Sequence, residues 1–458
     1  MAEVQDLEID LSNTEGWDKS GGKSQNVWGQ VPMLEVFVKW ANKLKAKSRG
    51  FFGVGKKEIK KPPVWTSVDG VLYADDKPVT KADLPKTISA TFKTCDSKYD
   101  AIVENMAMQI ACALDLPTSY NYIVKWNPND FSQIVDNYPN FQMRRDVRER
   151  GVQLGIVSVD FLQSYRDKTY QRVETDKQTT KSGKELQVEM IDDAVGDRLI
   201  AFDDIVTKIV GSNRLSGDQN LIENWVKAVD KFVQDELGDL PREKVNKIIN
   251  NVHSRIARSF LLKEYCGDCD NTSYNAAVVY NKAKGTLRYA PNHDFGDSFN
   301  KLRKTKINRP KIMAKEEIEK SFQYIQDEKM KEYAIQTMLK RLEKENSESV
   351  ADIARQYAVV DSSKRNVEYI LNNFPESARE FFENVDKCVQ KKIFDKIVDS
   401  YTRLTCNGEQ LLTKTEAEIF KEYLAERSVW MSELYVEYLQ SRGETVPEPI
   451  AEDDEYQL

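Results

Sequence analysis

The stretch Asp270–Gly296, DNTSYNAAVVYNKAKGTLRYAPNHDFG, decides how this chain is read. An Asp opens it, and Asn275 follows five positions later. A short apolar run (AAVVY), a polar turn (NKAKG) and a second extended run (TLRYA) lead to Asp294 in an intact Asp-Phe-Gly. Two extended runs joined by a polar turn predict a hairpin. Asp270, Asn275 and Asp294 then supply hard oxygen donors around one rigid unit, the kind that suits divalent cations. Phosphoryl transfer is mostly positioning plus neutralisation of oxygen charge, so this arrangement fits that chemistry. Asp-x-x-x-x-Asn alone and Asp-Phe-Gly alone are weak signals. Their linkage, with nineteen positions from Asn275 to Asp294, is more informative. A calcium EF-hand does not fit, because no Glu closes the loop and Lys282 stands twelve residues beyond Asp270.

A second constellation lies upstream. Thr87 to Phe92 alternates like a strand and ends in Lys93. Eleven residues later comes Glu104, inside a helix expected from about Tyr99 to Leu114, with Val103, Met106, Ala107, Ile110 and Leu114 as its buried stripe. Glu104 lies beside that stripe. Taken alone, a strand lysine and a helix glutamate are usually solvated. Taken with the downstream carboxylates, they predict an ion pair of the kind that holds a lysine on nucleotide phosphates. Strand-like runs follow at Tyr120–Lys125 and Gly151–Leu162, and Ser158, Val159 and Asp160 at the end of the second are candidates for receiving adenine through backbone groups.

Glycine-rich stretches offer candidates for a phosphate-covering loop. In GFFGVGK, residues 50–56, Gly53 and Gly55 precede a strand-rich region, although three loop glycines more often serve turns. SGGKS, residues 20–24, fails as a P-loop, because the required spacing puts Trp17 where glycine must stand. Residues 1 to about 30 read as polar loop, and Met33–Lys47 as an amphipathic helix.

Taken in order, TISATFK, YDAIVENMAMQIACALDLP, GIVSVDFL, DNTSYN and YAPNHDFGD resemble the HipA-like serine/threonine kinase family, a branch of the protein-kinase-like fold related to phosphatidylinositol kinases. The likeness covers roughly residues 85 to 300. It implies catalytic roles for Asp270, Lys93 and Glu104, with nucleotide contacts at Lys93. It implies metal ligation by Asn275 and Asp294. ATP and magnesium are the implied cofactors. A protein with a Ser or Thr acceptor is the implied substrate, and an antitoxin or regulatory protein the implied partner, in a toxin or signalling setting. One departure stands out: Asn271-Thr272-Ser273-Tyr274 fills the catalytic loop where the family often carries Arg-His. A lipid or small-molecule acceptor, or a scaffold that binds nucleotide without transfer, are the alternatives.

Composition sets the outer bounds. The 458 residues are 40% hydrophobic and 31% charged, enough for a large core in two or three domains. The net charge of −7 argues against a dedicated nucleic-acid binder. No apolar run reaches the length of a membrane span, and the acidic start MAEVQDLEID is unlike a secretory signal. Six scattered cysteines do not form a disulfide framework, and a reducing cytoplasmic setting is expected. Two histidines exclude histidine-rich metal sites and most His-based triads. Cys266 and Cys269 form a lone CxxC without the second pair a zinc site wants.

Downstream, Lys301, Arg303, Lys304, Lys306, Arg309, Lys311 and Lys315 make a basic segment that could dock an acidic substrate or, at Ser298 or Thr305, take a phosphate. From about Ala314 to Arg442 the pattern is helical, with a capping box expected at Thr415–Glu418, and an acidic tail closes the chain. The expected fold is α+β and bilobal, protein-kinase-like, with a β-rich N-lobe, a helical C-lobe and additional C-terminal helices. Its expected divisions are an extension (1–50), an N-lobe (51–162), a C-lobe (163–312), a helical region (313–442) and a tail (443–458).

Overall fold

Five antiparallel strands build the sheet that carries Lys93. Their order is Gly16–Trp17, Asn26–Pro32, Thr87–Thr94, Gln153–Val159 and Asn121–Trp126. This computed structural model describes residues 2–3, 16–17, 26–32, 65–68, 71–74, 77–78, 87–95, 97–119, 121–126, 153–159, 173–179, 185–190, 198–210, 221–268, 273–292, 294–299, 322, 324–347, 358 and 361–444. Lys93 sits on the central strand, paired with Asn26 on one side and Ile156 on the other. The loop expected over residues 1–30 is corrected here. Asn26–Pro32 is a full partner of the Lys93 strand, and Ala2–Glu3 runs parallel to Leu404–Thr405. Gly and Gln interrupt the strand's alternation of apolar residues, and its partner lies far along the chain, so local pattern could not reveal it.

The helix Lys98–Ala113 packs against this sheet. Ser97 caps it, accepting from the Asp100 amide at 3.3 Å while the Asp100 carboxylate takes the Ser97 amide at 2.8 Å. This reciprocal cap satisfies two otherwise orphaned donors. Leu116-Pro117 ends the helical stretch, as a proline requires. The expected stripe is buried, but so are Ala101, Ile102, Met108 and Ala111 on the other faces. A helix that is apolar all round must be covered all round. The second cover comes from the C-terminal helices Pro375–Gln390, Ile393–Thr402 and Lys414–Ser441. The Tyr401 hydroxyl donates to Asn105 at 2.6 Å and accepts from Gln109 at 2.7 Å, and the Asn384 amide donates to the Leu114 carbonyl at 3.3 Å.

On the other side of the site, Arg198–Ala201, Ala277–Asn281 and Thr286–Tyr289 form a three-stranded antiparallel sheet beside the helix Arg242–Tyr265. The hairpin falls where the sequence puts it. Its turn is closed by the Lys284 amide donating to the Asn281 side chain at 2.9 Å. One continuous core runs from Phe92 through the Glu104 helix to Leu439. The C-terminal helices are therefore part of the same packed body and not an appendage.

Two further expectations in this region need correction. A small hairpin, Leu404–Cys406 with Glu409–Gln410, interrupts the helical block. The capping box is Thr413 with Glu416, two residues before the expected one. Thr413 has the extended backbone a cap needs, while Thr415 already lies inside the helix. The Met33–Lys47 helix and both glycine-rich stretches lie outside the described residues. No helix among the described residues is long and apolar enough to cross a membrane.

Candidate functional site

Lys93 joins three distant pieces of chain. Its Nζ lies 2.9 Å from Glu104 Oε2 and 2.7 Å from Asp294 Oδ1. The Glu104 side chain is only 5% exposed, whereas Lys93 and Asp294 keep 17% and 23%. Burial alone would discharge the amine, but the carboxylates of Asp294 and Glu104 outweigh it and hold the Lys93 pKa well above the usual lysine range. The cluster is a closed ion trio with one net negative charge, open on the Asp294 side.

Asp294 is held in an unusual backbone state. Its φ is +57°, in the left-handed region that non-glycine residues seldom adopt. Such strain persists only where the surroundings fix it, and it concentrates at functional sites. The fixing comes from Asn292. Its amide donates to the Pro117 carbonyl at 2.9 Å, and its carbonyl accepts from the Ser119 amide at 2.7 Å and the Thr118 hydroxyl at 2.9 Å. Its side chain reaches Pro117 at 3.0 Å and accepts from the Ser259 hydroxyl. Gly296 completes the corner. A Cβ there would stand 2.9 Å from Lys93 Nζ and 3.3 Å from Glu104 Oε2, so only glycine lets the chain pass the ion pair undisturbed.

Asn275 ends a one-turn 3-10 helix, Ser273–Asn275, at the open end of the hairpin. The Ala290 amide donates to the Ala277 carbonyl at 2.9 Å, so the chain leaving for Asp294 starts beside the chain arriving from Asn275. The buried Ser273 hydroxyl donates to Asp203 Oδ1 at 2.8 Å, and the Phe202 amide donates to the Ala276 carbonyl at 2.9 Å. Asp203 thus anchors Ser273, three positions after Asp270 in the sequence. The sequence reading missed it. Its one local signal is a place in the first turn of a short helix, where an acid favours the dipole.

The lead-in to Asp270 is fastened from the other side. Arg427, fully buried on the C-terminal helix, donates to the Ala358 carbonyl at 2.6 Å, to the Tyr265 carbonyl at 3.4 Å, and to the Glu264 carbonyl. The Tyr265 and Glu264 carbonyls lie in the last turn of the Arg242–Tyr265 helix. Next, Gly267 turns the chain at φ +60°, directly under the Tyr423 hydroxyl, where a Cβ would stand 2.1 Å from that oxygen. Burial pushes the Cys266 thiol upward, which makes it an inert core group.

The remaining predicted residues divide. Asp270 lies outside the described residues, as do Asp160, Gly53, Gly55, Cys269 and the basic run after Asn300. Ser158 and Val159 pair with Thr91 and Ala90, two and three positions along the ladder from the Lys93–Ile156 pair. Ser298 is described, and its hydroxyl is sealed in the core, out of reach of a phosphate donor. Among the described residues no three His, Cys, Asp or Glu side chains converge as a metal site.

No family model and no curated protein matches the chain. Among solved structures it is similar to the Helicobacter pylori proinflammatory kinase CtkA, at 10% identity and a TM-score of 0.36, covering 78% of this chain and 92% of that one. It is also similar to HipA from Shewanella oneidensis MR-1, in complex with HipB and operator DNA, at 10% identity and a TM-score of 0.34, covering 91% and 74%. At this level neither likeness carries an argument about activity.

Proposed function

We propose that the chain is an ATP- and magnesium-dependent phosphotransferase, a HipA-like serine/threonine protein kinase that moves the ATP γ-phosphate to a protein hydroxyl. The observation that supports this most is the bridging of Glu104 and Asp294 by one lysine, across 201 positions of sequence. A purely structural lysine does not need two carboxylates, one of them on strained backbone beside a closely approaching glycine.

In this reading Lys93 holds the α- and β-phosphate oxygens, with Glu104 keeping its amine aimed. Asp294 turns its carboxylate to the cation, and Asn275 adds an amide oxygen. A magnesium ion held by these two residues would supply neutralisation of the charge on the phosphate oxygens. Asp270 orients the acceptor hydroxyl and takes its proton late in the reaction. Ser158, Val159 and Asp160 receive adenine, and Gly53 and Gly55 cover the phosphates.

The test is transfer of labelled phosphate from ATP to a whole-cell lysate by wild type, Asp294→Ala and Asp270→Asn. Loss of the positioned base is expected to cost ~10²–10⁴ in rate. Magnesium–ATP should still raise the melting point of Asp270→Asn, since saturation at 100 times the dissociation constant is worth about 2.7 kcal/mol. Equal turnover in Asp270→Asn would remove its role. Binding without transfer in wild type would make the chain a nucleotide-dependent scaffold.

A further inference from the structure

The C-terminal helix Lys414–Ser441 touches each of the three elements that form the site, and it does so along one stripe. Glu416, Phe420, Tyr423 and Arg427 recur at the spacing that aligns side chains on one face of a helix. Glu416 accepts from the Tyr99 hydroxyl and stands 3.6 Å from Lys98 Nζ, both at the start of the Glu104 helix. Phe420 and Tyr423 pack edge-on to Phe299, five residues beyond Asp294, with ring centroids 5.4 and 5.5 Å away. Tyr423 also covers Gly267, and Arg427 donates to the Glu264 and Tyr265 carbonyls at the end of the helix that precedes Asp270.

These contacts are unlike general core packing in one respect. The contact at the Glu104 helix is polar and specific. Burial opposes the Glu416 charge, but the Tyr99 hydroxyl, the Thr413 amide and Lys98 together hold its carboxyl below the usual range. The Phe299 amide in turn donates to the Cys266 carbonyl at 2.7 Å, which ties the segment after Asp294 to the same helix end that Arg427 grips. One rigid rod thus fixes the separation between Glu104, Asp294 and the approach to Asp270.

We propose that this helix is the device that aligns the site, with Glu416, Phe420 and Tyr423 as positioning residues acting through Tyr99 and Phe299. The proposal rests on the phosphotransferase reading for its effect on rate, but not for its effect on alignment. Displacing a catalytic group by a fraction of an ångström is enough to slow a positioned reaction.

The experiment compares Tyr99→Phe, which removes only the hydroxyl that reaches Glu416, with Val429→Gly. Val429 is exposed on the same helix and off the stripe, so its glycine weakens the helix without touching the site. Amide exchange is followed over residues 98–113 and 294–299, alongside kcat and the KM for ATP. Tyr99→Phe is expected to quicken exchange in both segments and to lower kcat about five- to twentyfold, with KM changed less than about twofold. Val429→Gly should leave both segments and kcat as in wild type. Equal exchange in the two variants overturns the proposal, whether or not the chain transfers phosphate. So does quickened exchange with kcat intact. If wild type transfers nothing, the function reading falls, and the exchange result alone decides the alignment.

Discussion

Two cations, Arg427 and Lys93, are held in contrasting ways. Arg427 is fully enclosed and satisfied by neutral backbone carbonyls. Lys93 keeps an edge to solvent and is satisfied by two carboxylates. The first arrangement has nothing to exchange, because the carbonyls cannot leave and no ligand can enter. The second can be rearranged by a ligand that brings its own anions and cation, since each partner of Lys93 is a side-chain oxygen and the Asp294 side is open to solvent. The contrast separates a cation that builds the fold from one placed to act.

The largest expected effect tests the structural member. Arg427→Leu removes the donor that Ala358, Tyr265 and Glu264 share, and a loss of about 3–5 kcal/mol in urea unfolding is expected. A variant of normal stability with impaired nucleotide binding would break the contrast. Next comes the functional member. Lys93→Met should lower phosphoryl transfer by ~10²–10³, the usual cost of losing one preorganised charge donor. Its stability loss should be smaller, about 1–2 kcal/mol, since the trio is partly open to solvent.

The same residue gives a pH test. The folded pKa of Lys93 is raised, because carboxylate attraction outweighs burial. Its stabilisation is therefore complete below the unfolded lysine pKa of about 10.4, and fades as pH rises through the folded value. The gap in melting temperature between wild type and Lys93→Met should hold level from pH 7 to about 10 and narrow only above that. The smallest effect concerns Gly296→Ala. The added methyl displaces a flexible amine and no backbone, so folding should change little while transfer falls by about tenfold. A tenfold loss accompanied by an equal loss of stability would assign Gly296 to the fold alone.

The Ala277–Tyr289 hairpin was legible because each part of it is local. The run AVVYN, the turn and TLRY are fixed by neighbours within a few residues, and they lie where their pattern says. Lys93 and Glu104 were legible for the same reason, one on an alternating strand and the other beside an apolar stripe. What failed was non-local. Asn26–Pro32 reads as loop until its partner strand, far along the chain, supplies the ladder. Asp203 reads as an ordinary acid until the Ser273 hydroxyl arrives. The cap at Thr413 was displaced by two residues because Thr415 fits the same short pattern, and only backbone geometry chooses between them.

The sequence by itself determined the elements and the chemistry they carry: a strand lysine, a helix glutamate, and an Asn and an Asp on one hairpin, each marked by periodicity and turn residues. Tertiary structure alone decided that Lys93 bridges Glu104 and Asp294, that Gly296 passes close beside them, and that one terminal helix touches both the Glu104 helix and the segment after Asp294. Local propensity acts through neighbours in the chain. Charge pairing and close packing act through space, and their partners here are separated by up to several hundred residues.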